Sequence, residues 1–133
     1  MSEENVEIVR RIYDVVNASG LGAVGDFLHA DVEAVPPSDW PEGAVVRGRE
    51  QVREMARQWM ETFEEFRVEP ERYLDAGAEN VVVYVRDSGR VRGTDTEIDT
   101  HLVHVWTLNH GKVVRCQLFT DEGPALEAAG LSE

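Results

Sequence analysis

The stretch Thr100-His101-Leu102-Val103-His104-Val105-Trp106-Thr107-Leu108-Asn109-His110-Gly111-Lys112-Val113-Val114 decides the fold. It is rich in β-branched and aromatic residues, breaks once at Asn-His-Gly, and resumes with the same character. That pattern predicts two antiparallel strands joined by a tight turn. Working outward, the first strand is expected from about Thr94 to Leu108 and the second from Lys112 to Thr120. Upstream, Val68 to Leu74 reads as extended, Asp75-Ala76-Gly77 as a turn, and Val81 to Val85 as a β-branched strand. Asp87-Ser88-Gly89 has the composition of a further hairpin turn. The second half of the chain is thus an antiparallel meander of about four strands.

The first half carries a different period. Val6, Val9, Ile12, Tyr13 and Val16 recur at helical spacing behind a Ser2 cap with Glu3 and Glu4 in the first turn. Leu21, Val24, Phe27 and Leu28 suggest a second, shorter helix ending near His29, followed by an extended piece from Asp31 to Val35 that Pro36 and Pro37 stop. Ser38 to Arg47 reads as a loop carrying Trp40. A third helix is expected from Arg49 to Phe66, with Val52, Met55, Ala56, Trp59, Met60, Phe63 and Phe66 on one stripe. Pro124 near a first turn and Gly130 at a stop frame a last short helix. Helices segregated in sequence from an antiparallel sheet mean an α+β class, and the absence of repeats or linkers makes residues 1–133 a single expected domain.

Composition narrows the function. Thirteen Lys and Arg against 26 Asp and Glu give a net charge of −13, which opposes a counterion-releasing grip on nucleic acid and attraction to anionic lipid. A small neutral or weakly basic partner fits that charge better. The acidic start lacks the form of an export signal, no apolar run reaches membrane-spanning length, and the one cysteine, Cys116, has no internal disulfide partner. These features point to a reduced, cytoplasmic protein. No glycine-rich phosphate cradle implies a nucleotide cofactor. His101 and His104 are three apart in a strand and point to opposite sides, so they do not share a metal ion. No cofactor and no metal are expected.

Tyr13, the Leu28-His29-Ala30-Asp31-Val32 passage, Arg47-Gly48-Arg49-Glu50-Gln51-Val52, and the His104 to Val114 hairpin together resemble the nuclear transport factor 2-like superfamily, in its SnoaL-like branch related to polyketide cyclases and ketosteroid isomerases. The resemblance spans essentially the whole chain. It implies a cone: a curved antiparallel sheet wrapped around the N-terminal helices and enclosing a pocket. It also implies a homodimer through the outer face of the sheet, where Trp106 and Phe119 are expected. Ketosteroid isomerase uses an Asp base with a Tyr and a protonated Asp as oxyanion hole. By resemblance Tyr13 matches the tyrosine, but Pro36 stands at the base and Val103 at the second acid, and Leu118 stands where the cyclase branch carries an acid. Authentic steroid isomerase chemistry is therefore not expected.

Strand parity places Asp99, His101, Val103 and Val105 on one face and Leu102, His104 and Trp106 on the other. With Val103 taken as a pocket position by resemblance, His101 and Asp99 become the expected proton-transfer pair, joined by Tyr13 as donor to an oxyanion. On the neighbouring strand Tyr84 and Arg86 would orient the ligand. Trp40, Trp59, Phe63, Val103, Cys116 and Leu118 complete the expected lining. The function so read is a pocket for a small hydrophobic molecule, with cofactor-independent isomerase, cyclase or hydratase chemistry. The alternative is a non-catalytic ligand-binding or protein-interaction module of the same fold.

Overall fold

In a computed structural model, residues 2–37, 44–77 and 79–131 are described. Helix α1 (Ser2–Ser19) is followed by a 3-10 segment (Leu21–Phe27), β1 (Leu28–Val35), β2 (Val46–Arg47), α2 (Arg49–Thr62), β3 (Phe63–Asp75), β4 (Asn80–Val91), β5 (Glu97–Asn109), β6 (Lys112–Phe119) and α3 (Glu122–Ala128). The strands form one six-stranded sheet in the order β2-β1-β6-β5-β4-β3. All neighbours are antiparallel except β1 and β6. The α+β class and the β3-to-β6 meander match the sequence reading. β1 and β2 extend the meander into a larger sheet.

Several boundaries differ from expectation, with β1 beginning already at Leu28 and β2 falling in the expected loop, and two of the differences have clear local reasons. The third helix stops at Thr62, so Phe63 and Phe66 belong to β3. They still face the same side although three residues apart, because the register shifts between Glu64 and Arg67 and Glu65 takes a positive φ of 57°. A bulge thus reproduces helical spacing inside a strand. The second difference is that Asp87-Ser88-Gly89 is not a turn. β4 runs through it to Val91, and the turn lies beyond. Gly89 serves close approach: a Cβ there would lie 3.3 Å from both the Phe66 backbone and its ring. The Asn109-His110-Gly111 reversal is as expected, with φ of 53° at His110 and 80° at Gly111.

The helices divide between the two faces of the sheet. Tyr13, Val9, Ile12 and Val16 of α1 and Val52 of α2 pack in one cluster with Val81, Val83, Val85, Leu102, Trp106, Leu108 and Val113, which defines the inner face. α3 lies on the other side, where Ala125 and Ala129 pack with Val82, Val103 and Val105. The result is that residues 102–106 of β5 are buried on both faces. α1 is pinned to the sheet by Asn17, whose Nδ2 donates to the Val68 carbonyl at 2.8 Å and whose Oδ1 accepts from the Val68 amide at 3.1 Å. This satisfies backbone groups on the open edge of β3 and fixes the height of Tyr13 above the strands.

Candidate functional site

On the inner face the register aligns side chains in rows: Val81, Trp106 and Cys116; then Tyr73, Val83, His104 and Leu118; then Val85 and Leu102; then Val68 and Asp87. α1 lowers Tyr13 onto the first two rows. Nε1 of Trp106 donates to the Tyr13 hydroxyl at 2.8 Å, and that hydroxyl lies 2.8 Å from Nδ1 of His104. An indole only donates, so the Tyr13 oxygen accepts from Trp106, and the arrangement that also gives the Tyr13 proton an acceptor has the hydroxyl donating to Nδ1. The donor and acceptor inventory therefore assigns the ring proton of His104 to Nε2. Tyr73 meets Tyr13 edge-on with centroids 6.3 Å apart, and the Arg10 guanidinium lies 4.5 Å above the Tyr73 ring.

Burial keeps this cluster uncharged. It lowers His104 to about 4 and raises Cys116 to about 12. Tyr13 is held well above its ordinary value, first by burial and then by the neighbouring Cys116. Asp87 is the exception. It is buried on the inner face of β4, and burial alone pushes its carboxyl up to about 6, so it is mostly ionised at neutral pH. Its Oδ1 is the only fully enclosed side-chain nitrogen or oxygen among the described residues that has no hydrogen-bond partner. The described residues form no hydrogen bond with Asp87 Oδ2 or His104 Nε2, and the two residues keep 5% and 8% of their surface accessible.

The expected site residues separate into two groups. Tyr13, Cys116 and Leu118 lie on the inner face, and Trp59 and Phe63 pack against its core as well. The Trp59 and Phe63 centroids are 4.9 Å apart, and Phe66 stacks on Phe63 at 5.4 Å. Asp99, His101, Val103, Tyr84 and Arg86 lie on the outer face, so their expected place in the pocket is corrected. The parity holds, but the face is reversed, because the inner positions of β5 are Leu102, His104 and Trp106. His101 is exposed with Nε2 3.5 Å from Glu71, and Arg86 pairs with Asp99. Their hydrogen bond is the main influence that lowers the Asp99 carboxyl. Tyr84 donates to Glu122 of α3, and Val103 packs beneath α3. Trp106, expected outside, is inside. Phe119 is on the outer face as expected, packed against the cluster under α3. Trp40 lies outside the described residues.

Sequence reasoning missed His104 and Asp87. A signal for His104 was present: it shares a face with Trp106, the largest side chain of the strand, and bulk belongs where two helices must be met. Asp87 was masked by its Ser-Gly neighbours. Among the described residues no group of three or more His, Cys, Asp or Glu is placed to hold a metal ion, and no helix among them is long and apolar enough to cross a membrane.

Comparison with known proteins fits this geometry into a wider group. The family model for the SnoaL-like domain matches residues 9–116. Among solved structures, a protein from Jannaschia sp. CCS1 assigned as a SnoaL-like polyketide cyclase is 26% identical, with a TM-score of 0.77 over 98% of this chain and 94% of that one. A Catenulispora acidiphila DSM 44928 protein with a ketosteroid isomerase-like fold, solved with trimethylamine, is 19% identical, with a TM-score of 0.75 over 94% and 93%. The epoxide hydrolase/cyclase-like enzyme SalBIII of salinomycin pyran-ring formation is 23% identical, with a TM-score of 0.74 over 91% and 95%. The curved sheet around N-terminal helices is the nuclear transport factor 2-like cone fold. A search of curated proteins gives no match.

Proposed function

The chain belongs to the SnoaL-like domain family, and from that premise we propose that its inner face binds a small, mostly apolar molecule through one oxygen of that molecule. The observation that carries this reading is the Trp106–Tyr13–His104 chain of hydrogen bonds. It spends the Tyr13 proton on Nδ1 and leaves Nε2–H of a neutral imidazole as a fixed donor with no partner among the described residues. Such a group donates to a carbonyl or hydroxyl oxygen without bringing a charge into an apolar interior. Tyr13 and Trp106 act here as positioning residues, because they hold the ring and its tautomer.

A second reading, cofactor-independent isomerase, cyclase or hydratase chemistry, is favoured by one observation. A rigid neutral donor is the arrangement that stabilises a developing oxyanion, and proton transfer would then need an acceptor on the same face. His104, lowered to about 4, does not hold a second proton at neutral pH. Asp87, near 6, is the inner group able to accept one. His101 and Asp99 take no part in either reading.

The test is binding of 2-acetylnaphthalene against 2-ethylnaphthalene, which differ by one carbonyl oxygen, followed by the Trp106 indole N–H and His104 ring signals in NMR. The ketone is expected to bind about tenfold more tightly, to shift both signals, and to lose its advantage in Tyr13→Phe. Equal binding of the two compounds, or shifts centred on Tyr84 and His101, would contradict the reading.

A further inference from the structure

Asp87 is left unexplained by the Trp106–Tyr13–His104 anchor. Its row is four residues along β4 from Val83, the partner of His104, which separates the two backbones by about 13 Å. On its other side lies the aromatic end of the inner face. Gly89, two residues on and facing the same way, is covered by the ring of Phe66, and Phe66 stacks in turn on Phe63 and meets Trp59 edge-on. The carboxylate thus stands between a polar end and three aromatic rings.

The electrostatics of this interior have one sign. The titratable side chains placed above on the inner face, besides Asp87, are Tyr13 of α1, Tyr73 of β3, His104 of β5 and Cys116 of β6. Tyr13, Tyr73 and Cys116 are raised and His104 is lowered, so all four are neutral at pH 7. Asp87 and His104 are the only buried polar or charged residues among those described. A buried carboxylate oxygen with no donor is costly, and its presence calls for a partner that the described residues do not supply.

We propose that the inner face selects ligands bearing a positively charged nitrogen, a substituted ammonium group that pairs with the Asp87 carboxylate beside the rings of Phe66, Phe63 and Trp59. An ammonium supplies the missing counter-charge, and its alkyl substituents suit aromatic faces, which attract cations. The net charge of −13 favours approach of the same ligand class. Combined with the His104 donor, the expected ligand is two-ended, with an oxygen at the Tyr13 and His104 end and a basic nitrogen at the Asp87 end. This deepens the inner-face binding reading and rests on it.

The experiment uses choline and its neutral carbon isostere 3,3-dimethylbutan-1-ol, equal in shape and differing by one charge, in NMR titrations at pH 8 and pH 5. Choline is expected to bind at least tenfold more tightly than the isostere at pH 8. That ratio should fall towards one at pH 5, as Asp87 takes up a proton, and should collapse in Asp87→Asn. By linkage, saturating choline should also move the Asp87 carboxyl titration below 6. Isostere binding equal to or tighter than choline at pH 8 overturns the ammonium selectivity and leaves the inner-face reading standing. Failure of both compounds to shift any signal of Tyr13, His104 or Asp87 overturns the two together.

Discussion

β5 carries two histidines three residues apart that live in opposite environments. His101 is on the outer face with 67% of its side chain exposed, opposite an exposed Glu71. His104 is on the inner face with 8% of its surface accessible, and its ring is held by Tyr13. Each face also carries a tyrosine and an aspartate: Tyr84 and Asp99 outside, Tyr13 and Asp87 inside. The outer groups pair with charged partners in water, and such pairs contribute little. The inner groups are neutralised, oriented or left unpartnered by burial. The same residue types therefore become surface on one side and a site on the other, and the difference is set by which helices cover them.

The sharpest way to break this contrast is to remove one hydroxyl from each face. Tyr13→Phe strands the Trp106 indole N–H and the His104 Nδ1 in the interior, and should cost about 2–4 kcal/mol in chemical denaturation. Tyr84→Phe loses a bond to Glu122 at the surface and should cost under about 1 kcal/mol. Similar losses from the two would dissolve the distinction.

The next effect is in pH. His104 is lowered in the folded protein, to about 4 against 6.5, so the stability it contributes is complete above 6.5 and is lost as pH falls towards 4. Asp87 is raised, to about 6 against 3.8, so the folded protein takes up a proton there first and gains stability as pH falls through 6. Between pH 7 and 4.5 each amounts to about 2 kcal/mol, with opposite signs. The unaltered protein should hide both. Asp87→Asn should therefore lose about 2 kcal/mol more than the unaltered protein over that interval, as read from urea midpoints at each pH. Equal slopes would mean that Asp87 is not raised.

At pH 8 the same Asp87→Asn variant should be more stable than the unaltered protein by about 1–2 kcal/mol, since an ionised buried carboxylate is replaced by a neutral amide. A loss of stability there would reveal a donor to Asp87. The smallest effects belong to the outer face. His101→Ala and Asp99→Ala should each change stability by less than about 0.5 kcal/mol and leave ketone binding unaltered. A large loss of binding in either would return the site to the outer face.

Much of this architecture was legible in the sequence, because the meander, the Asn-His-Gly turn and the α1 stripe are local patterns. Strand parity was legible too. What parity does not supply is which face is inner, and β5 hides the answer. α3 buries Val103 and Val105 from outside while α1 meets Leu102, His104 and Trp106 from inside, so the strand shows no apolar and polar alternation to choose by. Assigning Val103 to the pocket by resemblance then carried His101 and Asp99 to the wrong face with it. Tyr13 was placed on the inner side because it sits on a helix whose apolar stripe has one direction only. Asp87 was lost because Asp-Ser-Gly is read as a turn wherever it stands, and only the Phe66 ring lying on Gly89 explains why a strand contains it.

The most direct measurement is a 15N titration of the four histidine rings from pH 8 to pH 4. One ring, assigned to His104 by its loss in His104→Gln, should remain neutral with its proton on Nε2 down to about pH 5 and begin to charge only near 4. If no ring stays neutral through pH 5, or if the neutral ring carries its proton on Nδ1, then Tyr13 does not hold His104 as a donor and the inner-face anchor is wrong.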